Sequence, residues 1–269
     1  MIFKKPIKHK GFTLVEMAIV LVIFGLVLSA LLLPLRAQRE QAAQAQTINT
    51  LENAREALLG FAQANGRLPC PATAASNGIA SPNPSGACTI QQGFFPAATL
   101  GIQPVNSQGF AVDAWNNPIR YAVTLVDNPN GVVSGLPTGY GVRNVPDFTS
   151  FNEIQDIGIS RTNPAPPLNV PALNPDLKVS CGQVATPECT PANLIINNAV
   201  AVIYSTGANG GFLDSEVGAD EVANKNATTL FYSRTQTAKG STAGEFDDLV
   251  VWISPYVLYN AMIQAGQLH

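Results

Sequence analysis

The chain has 269 residues, enough for one large domain or two small ones, and a formal net charge of −3. The first eleven residues hold four lysines and no acid, so the remainder has 11 basic and 18 acidic residues, a net charge of −7 that argues against nucleic-acid binding by this chain alone. Histidine occurs only at positions 9 and 269, which removes histidine-based triads and metal sites and argues against an enzyme.

A basic leader precedes a long apolar segment. The leader contains Lys4, Lys5, Lys8 and Lys10. Residues 17–35 then run for 19 residues without a charge, which is long enough to cross a bilayer and too long for the apolar part of a secretory signal. We therefore predict a transmembrane helix over 12–35. Because the lysines lie on its N-terminal side, that end is expected in the cytoplasm.

The segment KGFTLVE, residues 10–16, joins the leader to the apolar run. It resembles the class III signal of type IV pilins and type II secretion pseudopilins. In that family a prepilin peptidase cuts after the glycine and methylates the new N-terminal residue. The resemblance implies that residues 1–11 are a leader peptide, that Gly11 precedes the cut and that Phe12 becomes the methylated terminus.

Glu16 lies five residues into the predicted span, where a carboxylate costs a few kcal/mol. The resemblance offers a reason, since family members carry an acid at this distance from the cut. In a filament of staggered helices, Glu16 of one subunit can lie beside the new amine on Phe12 of its neighbour. Breaking such a buried pair costs about 3–5 kcal/mol, so we assign Glu16 to assembly. The alternative is that its side chain reaches the lipid headgroups from the helix end.

The helix is predicted to continue over 36–65, which is rich in strong helix formers. An apolar stripe at i+3 and i+4 spacing suits packing on a globular domain, and consists of Ile48, Leu51, Ala54, Leu58, Leu59 and Ala62. The pair Asn65-Gly66 is a typical helix end, because glycine fits the left-handed position there.

Residues 66–269 are predicted to form a β-rich globular domain. Strand patterns occur at 119–126, 199–206, 228–234 and 248–254, and we expect an antiparallel sheet of at least four strands covered by the long helix. Trp115 is assigned to the core. Ser254-Pro255 begins a short helix that continues over 256–265. Residues 127–192 contain ten prolines and form an elaboration of this domain. The predicted fold class is α+β, and pilin-like by the resemblance.

All four cysteines lie beyond the apolar segment, and none forms a C-x-x-C motif. If this region is exported, the simplest of three disulfide connectivities pairs Cys70 with Cys88 and Cys181 with Cys189. Four reduced thiols in a cytosolic protein are the alternative.

Two stretches combine acids with glycines. Residues 205–221 hold Asn209, Asp214, Glu216, Asp220 and Glu221, and a second stretch holds Glu245, Asp247 and Asp248. Hard oxygen ligands on flexible loops suit Ca²⁺. The arrangement resembles the calcium loop of major pseudopilins, in which an acid lies four residues before a Trp, as Asp248 does before Trp252. An Asp of that pattern is replaced by Asn209. The candidate ligands are Asn209, Asp214, Asp247 and Asp248, and a polar turn with solvated acids is the alternative.

These features predict a structural subunit, either a minor pilin or a pseudopilin, in a type IV pilus or a type II secretion pseudopilus. Its expected partners are the prepilin peptidase, other pilin or pseudopilin subunits and an inner-membrane assembly platform. We expect a single-pass inner-membrane protein whose C-terminal domain lies in the periplasm. The alternative is a membrane-anchored periplasmic binding module that does not polymerise, but the Gly11-Phe12 junction and Glu16 have no role in such a module.

Overall fold

The structure is a computed structural model that describes residues 11–82, 87–88, 90–126, 145–157, 173–183, 194–226 and 229–268, with the backbone alone described at 29–36 and 156–157. The predicted leader 1–10, Cys189 and most of the predicted Pro-rich elaboration lie outside the described residues. The chain divides into two compact units, Met1–Ala45 and Gln46–His269. The division falls within the first helix, between the boundaries at residues 35 and 65 that the sequence suggested.

The described residues form five helices and seven strands. The helices are α1 Leu14–Asn65, α2 Ala97–Leu100, α3 Phe151–Ile157, α4 Ala219–Lys225 and α5 Pro255–Gln264. The strands are β1 Gln92–Phe94, β2 Arg120–Val123, β3 Leu177–Ser180, β4 Leu194–Ala199, β5 Ala201–Ser205, β6 Leu230–Tyr232 and β7 Leu249–Ile253. The predicted α+β class is therefore confirmed, with a long N-terminal helix and an antiparallel sheet.

The first unit contains the N-terminal part of α1. Its apolar side chains are exposed, from 90% at Leu14 to 45% at Leu28. Among the residues that the structure describes, no helix combines the length and the apolar character needed to span a membrane. The side chains of 29–35, the end of the predicted span, lie outside the described residues.

The main sheet of the second unit has four antiparallel strands in the order β1-β2-β5-β7. Three of them were predicted, and β1 was not, because its sequence Gln-Gly-Phe has no strand signal. In the pairing of β5 with β7, Ser205 lies opposite Leu249 and Ala201 opposite Ile253. The loop after β5 and the segment before β7 therefore meet at one end of the sheet.

A second, three-stranded sheet has the order β4-β3-β6. The sequence placed the strand at 228–234 in the main sheet, and this prediction is wrong, because β6 pairs with β3 and runs parallel to it. A strand of three residues contains too little pattern to select its partner. Phe231 at its centre is fully buried against the outer face of the main sheet.

The central strands β2 and β5 of the main sheet are buried on both faces, since consecutive residues point to opposite faces and nearly all of theirs are buried. Tyr121 and Ile203 pack in one cluster with the α1 stripe, while Tyr204 packs in the other cluster with β3 and β6. The predicted α1 stripe is confirmed except at Ile48, which is 45% exposed. Thr47 is buried in its place, and its hydroxyl accepts a hydrogen bond from the N–H of Ala114 at 3.1 Å.

Of three further local predictions, the ends of two helices are confirmed and the burial of one tryptophan is not. Helix α1 ends at Asn65, and Gly66 has a φ of 63°, as its C-terminal position requires. Pro255 begins α5 after Ser254. The prediction that Trp115 belongs to the core is wrong, since its side chain is only half-buried.

The cysteine predictions are partly confirmed. Cys70 and Cys88 form a disulfide across 18 positions of sequence. Cys181 is also disulfide-bonded. The predicted partner of Cys181 is Cys189, which lies outside the described residues.

Candidate functional sites: the N-terminal motif and an acidic cluster

The start of α1 is fixed by reciprocal hydrogen bonds between Thr13 and Glu16. The backbone N–H and the hydroxyl of Thr13 both donate to Glu16 Oε2 at 2.8 Å, and the N–H of Glu16 donates to Thr13 Oγ1 at 3.2 Å. This is the geometry of a capping box, which satisfies N–H groups that the first turn leaves without helical partners. Phe12, immediately before it, is 82% exposed. The predicted Gly11-Phe12 junction is therefore presented at the surface in this structure.

The second candidate site lies where β5 ends and β7 begins. It brings together Glu221 in the first turn of α4, Asp247 and Asp248 directly before β7, and Asn209 in the loop after β5. One carboxylate oxygen from each of the three acids lies within 4.8 Å of the other two. Glu221 and Asp248 are buried, and Asp247 is half-buried. We call Glu221, Asp247, Asp248 and Asn209 the acidic cluster.

Glu221 is the centre of the hydrogen bonds in the acidic cluster. Its Oε2 accepts the N–H of Gly218 at 2.7 Å, and its Oε1 accepts the N–H of Asp247 at 2.6 Å. The side-chain amide of Asn209 donates to both oxygens, at 3.3 and 3.1 Å. Asp248 Oδ2 accepts the side-chain amide of Asn224 at 2.8 Å. Backbone and amide donors thus hold these carboxylates in place, and the charge of Lys225 favours the ionised form of Asp248.

Three buried oxygens in the acidic cluster accept no hydrogen bond from any of the described residues. They are Asn209 Oδ1, Asp247 Oδ1 and Asp248 Oδ1. A buried polar atom without a partner costs free energy, and such atoms are rare in folded proteins. Carboxylate and amide oxygens are also the ligands that Ca²⁺ prefers. The donor set therefore fits a hard divalent cation.

The electrostatics of the acidic cluster also favour a bound cation. Burial, with a further contribution from the charge on Glu221, raises the pKa of Asp247 to about 7. Burial also raises the pKa of Asp248 well above its usual range, against the hydrogen bond from Asn224, and the charges on Glu221 and Asp247 add to the rise. Close, desolvated carboxylates repel one another, so a proton or a cation is needed to neutralise them.

Two hydrogen bonds hold the loop that carries Asn209 in position. Asp113 Oδ2 accepts the Ser205 hydroxyl at 2.6 Å, and the side-chain amide of Asn117 donates to the carbonyl of Gly207 at 2.7 Å. Gly207 has a φ of +64°, and a Cβ there would lie 2.0 Å from Asp247 Oδ1. Only glycine allows this close approach of the loop to the carboxylate.

The structure brings together three of the four predicted ligands, Asn209, Asp247 and Asp248. Asp214 lies outside the cluster, because its side chain is 66% exposed and its Oδ1 lies 3.8 Å from Lys225 Nζ. Asp214 stands in the exposed part of the loop after β5, away from the buried end of the sheet.

The predicted ligand set also omitted Glu221. Its signal in the sequence was its position three residues after Gly218, where a glutamate can cap the start of a helix. Asp220 beside it has a different role, since it forms an ion pair with Arg234 at 2.7 Å.

Comparison with known proteins identifies the N-terminal region. Residues 7–32 match the family model of the prokaryotic N-terminal methylation motif, so the chain carries this motif. The motif is the signal of type IV pilins and pseudopilins, which confirms the resemblance seen in the sequence. It implies processing by a prepilin peptidase and assembly with other pilin subunits. Comparisons with curated proteins and with solved structures gave no match.

Proposed function

We propose that this chain is a structural subunit, a minor pilin or pseudopilin, of a type IV pilus or type II secretion pseudopilus. The observation that carries the proposal is the methylation motif at 7–32, together with the helix within it, whose apolar side chains are exposed up to residue 28. Exposed apolar surface on this scale is costly in water, so it needs lipid or neighbouring helices around it. A role in assembly supplies both environments in turn.

In the proposed pathway, Gly11, Phe12 and Glu16 each have a role. The peptidase cuts between Gly11 and Phe12 and methylates Phe12. Before assembly, helix 12–35 anchors the subunit in the inner membrane with the C-terminal domain in the periplasm. An inner-membrane platform then adds the subunit to the filament, where the carboxylate of Glu16 faces the amine of a neighbouring Phe12. The role is structural and not catalytic.

N-terminal sequencing and intact mass of the protein from a host that has the peptidase test this proposal. The expected terminus is N-methylated Phe12. The matched control is Gly11→Val, which obstructs the position before the cut. Within the described part of the chain, no atom beyond the neighbouring residues lies within 4 Å of a Cβ at Gly11. A wild-type chain that still begins at Met1 would overturn the proposal, and the binding-module alternative would then lead.

We further propose that the acidic cluster binds Ca²⁺. Glu221, Asp247, Asp248 and Asn209 would hold the ion, and the three oxygens without hydrogen bonds support this assignment. When bound, the ion supplies positive charge that offsets the repulsion among the buried carboxylates. The consequence for the fold is a firm connection between the loop after β5 and the segment before β7. Thermal unfolding with and without Ca²⁺ tests this site.

A further inference from the structure

β7 forms an open edge of the main sheet. It pairs with β5 on one side, and within the described residues no strand pairs with its other side. Native edge strands are commonly protected by lysine, proline or a bulge. The sequence of β7, Leu-Val-Val-Trp-Ile, contains neither residue, and its pairing with β5 is regular over all five residues. The backbone groups on the open side of β7 are therefore available to another strand.

A groove runs along this open edge. Its volume is about 300 Å³, and it is lined by Val250, Val251 and Trp252 of β7 and by Glu52 and Arg55 of α1. Consecutive residues of a strand point to opposite faces of a sheet. A groove that contacts three consecutive residues must therefore follow the edge of the strand itself. We call these five residues the β7 groove.

In the part of the chain that the structure describes, the hydrogen bonding of Arg55 in the β7 groove is incomplete. Arg55 Nη1 donates to Glu52 Oε2 at 3.0 Å, in an i,i+3 pair along α1. Arg55 Nε is buried and has no hydrogen-bond partner among the residues that the structure describes. A buried donor of a charged group without an acceptor is costly, so an added carboxylate or carbonyl would be favourable here.

We propose that the β7 groove is a homodimer interface in which β7 pairs antiparallel with β7 of a second copy. A two-fold interface must be complementary to itself. The β7 groove meets this requirement because it holds one acid and one base. In the dimer, Arg55 of each copy faces Glu52 of the other, and the half-buried Val250 and Trp252 become covered. A ligand that carried only positive or only negative charge would instead leave either Arg55 or Glu52 unpaired.

This dimer goes beyond the proposed filament role and does not depend on it. Its test uses the full chain, expressed in a host without assembly machinery and purified in detergent. Filament contacts then cannot contribute to the association. Sedimentation velocity should show a dimer for the wild type. Glu52→Arg alone and Arg55→Glu alone each place like charges across the interface, and each should weaken dimerisation about tenfold or more.

The decisive experiment mixes the two single variants, each of which carries a different tag. In the heterodimer, both groove charges of the Glu52→Arg chain are positive and both groove charges of the Arg55→Glu chain are negative. Dimerisation should therefore return in the mixture, although neither variant has its own i,i+3 pair. Glu56→Arg and Lys178→Glu, at exposed positions outside the groove, are the matched controls and should dimerise like the wild type. Thermal unfolding checks that every variant is folded.

Three results would overturn the dimer. The first is a wild-type chain that stays monomeric at the highest soluble concentration. The second is a dimer that both single variants retain, because association then uses another surface. The third is a mixture of the two variants that remains monomeric, because the charges then do not face each other.

Discussion

Removal of Ca²⁺ should lower the stability of the domain that contains the acidic cluster. Calcium sites of extracellular modules have dissociation constants of about 10⁻⁴–10⁻³ M. At about 10 mM Ca²⁺, preferential binding to the folded state then adds about 1.4–2.7 kcal/mol to the free energy of unfolding. For a unit of this size, Gln46–His269, that corresponds to a rise in Tm of about 3–11 °C.

The stability of the metal-free protein and its response to Ca²⁺ should both depend on pH. Because burial and Glu221 raise the pKa of Asp247 to about 7, the folded state holds a proton between about pH 4 and pH 7 that the unfolded state has released. The free energy of unfolding of the metal-free protein should therefore fall as pH rises through this window. The rise in Tm with Ca²⁺ should be larger at pH 8 than at pH 5, where protons compete with the ion.

The assay is thermal unfolding in Ca²⁺ and in EGTA, with Mg²⁺ as a second cation. Asp247→Asn removes a repelling carboxylate but keeps an acceptor for the N–H of Asn209, so it should stabilise the metal-free protein at pH 8 and abolish most of the Ca²⁺ response. Asp214→Asn, outside the cluster, should behave like the wild type. If Ca²⁺ leaves Tm unchanged and Asp247→Asn destabilises the protein, the cluster is a hydrogen-bonded turn and not a cation site.

Three further substitutions test other parts of the chain. Replacing both Cys70 and Cys88 by Ser opens the closed loop between them and should lower the free energy of unfolding, measured in denaturant, by about 3 kcal/mol. An unchanged value would mean that the disulfide does not constrain the unfolded chain. Tyr121→Phe removes a buried hydroxyl that donates to the carbonyl of Pro69 at 3.1 Å, and the same measurement should show a loss of about 1–2 kcal/mol. Glu16→Gln should leave the processed terminus intact by mass while abolishing incorporation into sheared filaments; normal incorporation would remove Glu16 from the assembly step.

The parts of the fold that the sequence predicted are those with local causes. The end of α1 follows from the left-handed preference of Gly66, and the start of α5 from the fixed φ of Pro255. The N-terminal motif is equally local, since its meaning resides in seven consecutive residues. For the same reason the strands β2, β5 and β7 were found from β-branched and aromatic residues alone.

The errors concern pairings between distant residues. The parallel contact of β6 with β3 joins segments about fifty residues apart, and no pattern within either strand encodes it. Glu221 joins the acidic cluster because α4 places its first turn beside the end of β5, which only the tertiary fold determines. Conversely, Asp214 looked equivalent to the other acids by composition, but the loop turns its side chain to solvent.

The acidic cluster and the β7 groove share one segment of chain, which allows a final prediction. Asp247 and Asp248 directly precede Leu249, the first residue of β7, and the N–H of Asp247 is held by Glu221 at 2.6 Å. Cancelling the repulsion at these carboxylates should fix the start of the edge strand and reduce the ordering cost of pairing. The dimer measured by sedimentation should therefore be tighter in Ca²⁺ than in EGTA, and Asp247→Asn should remove the difference. Equal dissociation constants in both buffers, together with a normal rise in Tm, would show that the ion stabilises the domain without ordering its open edge.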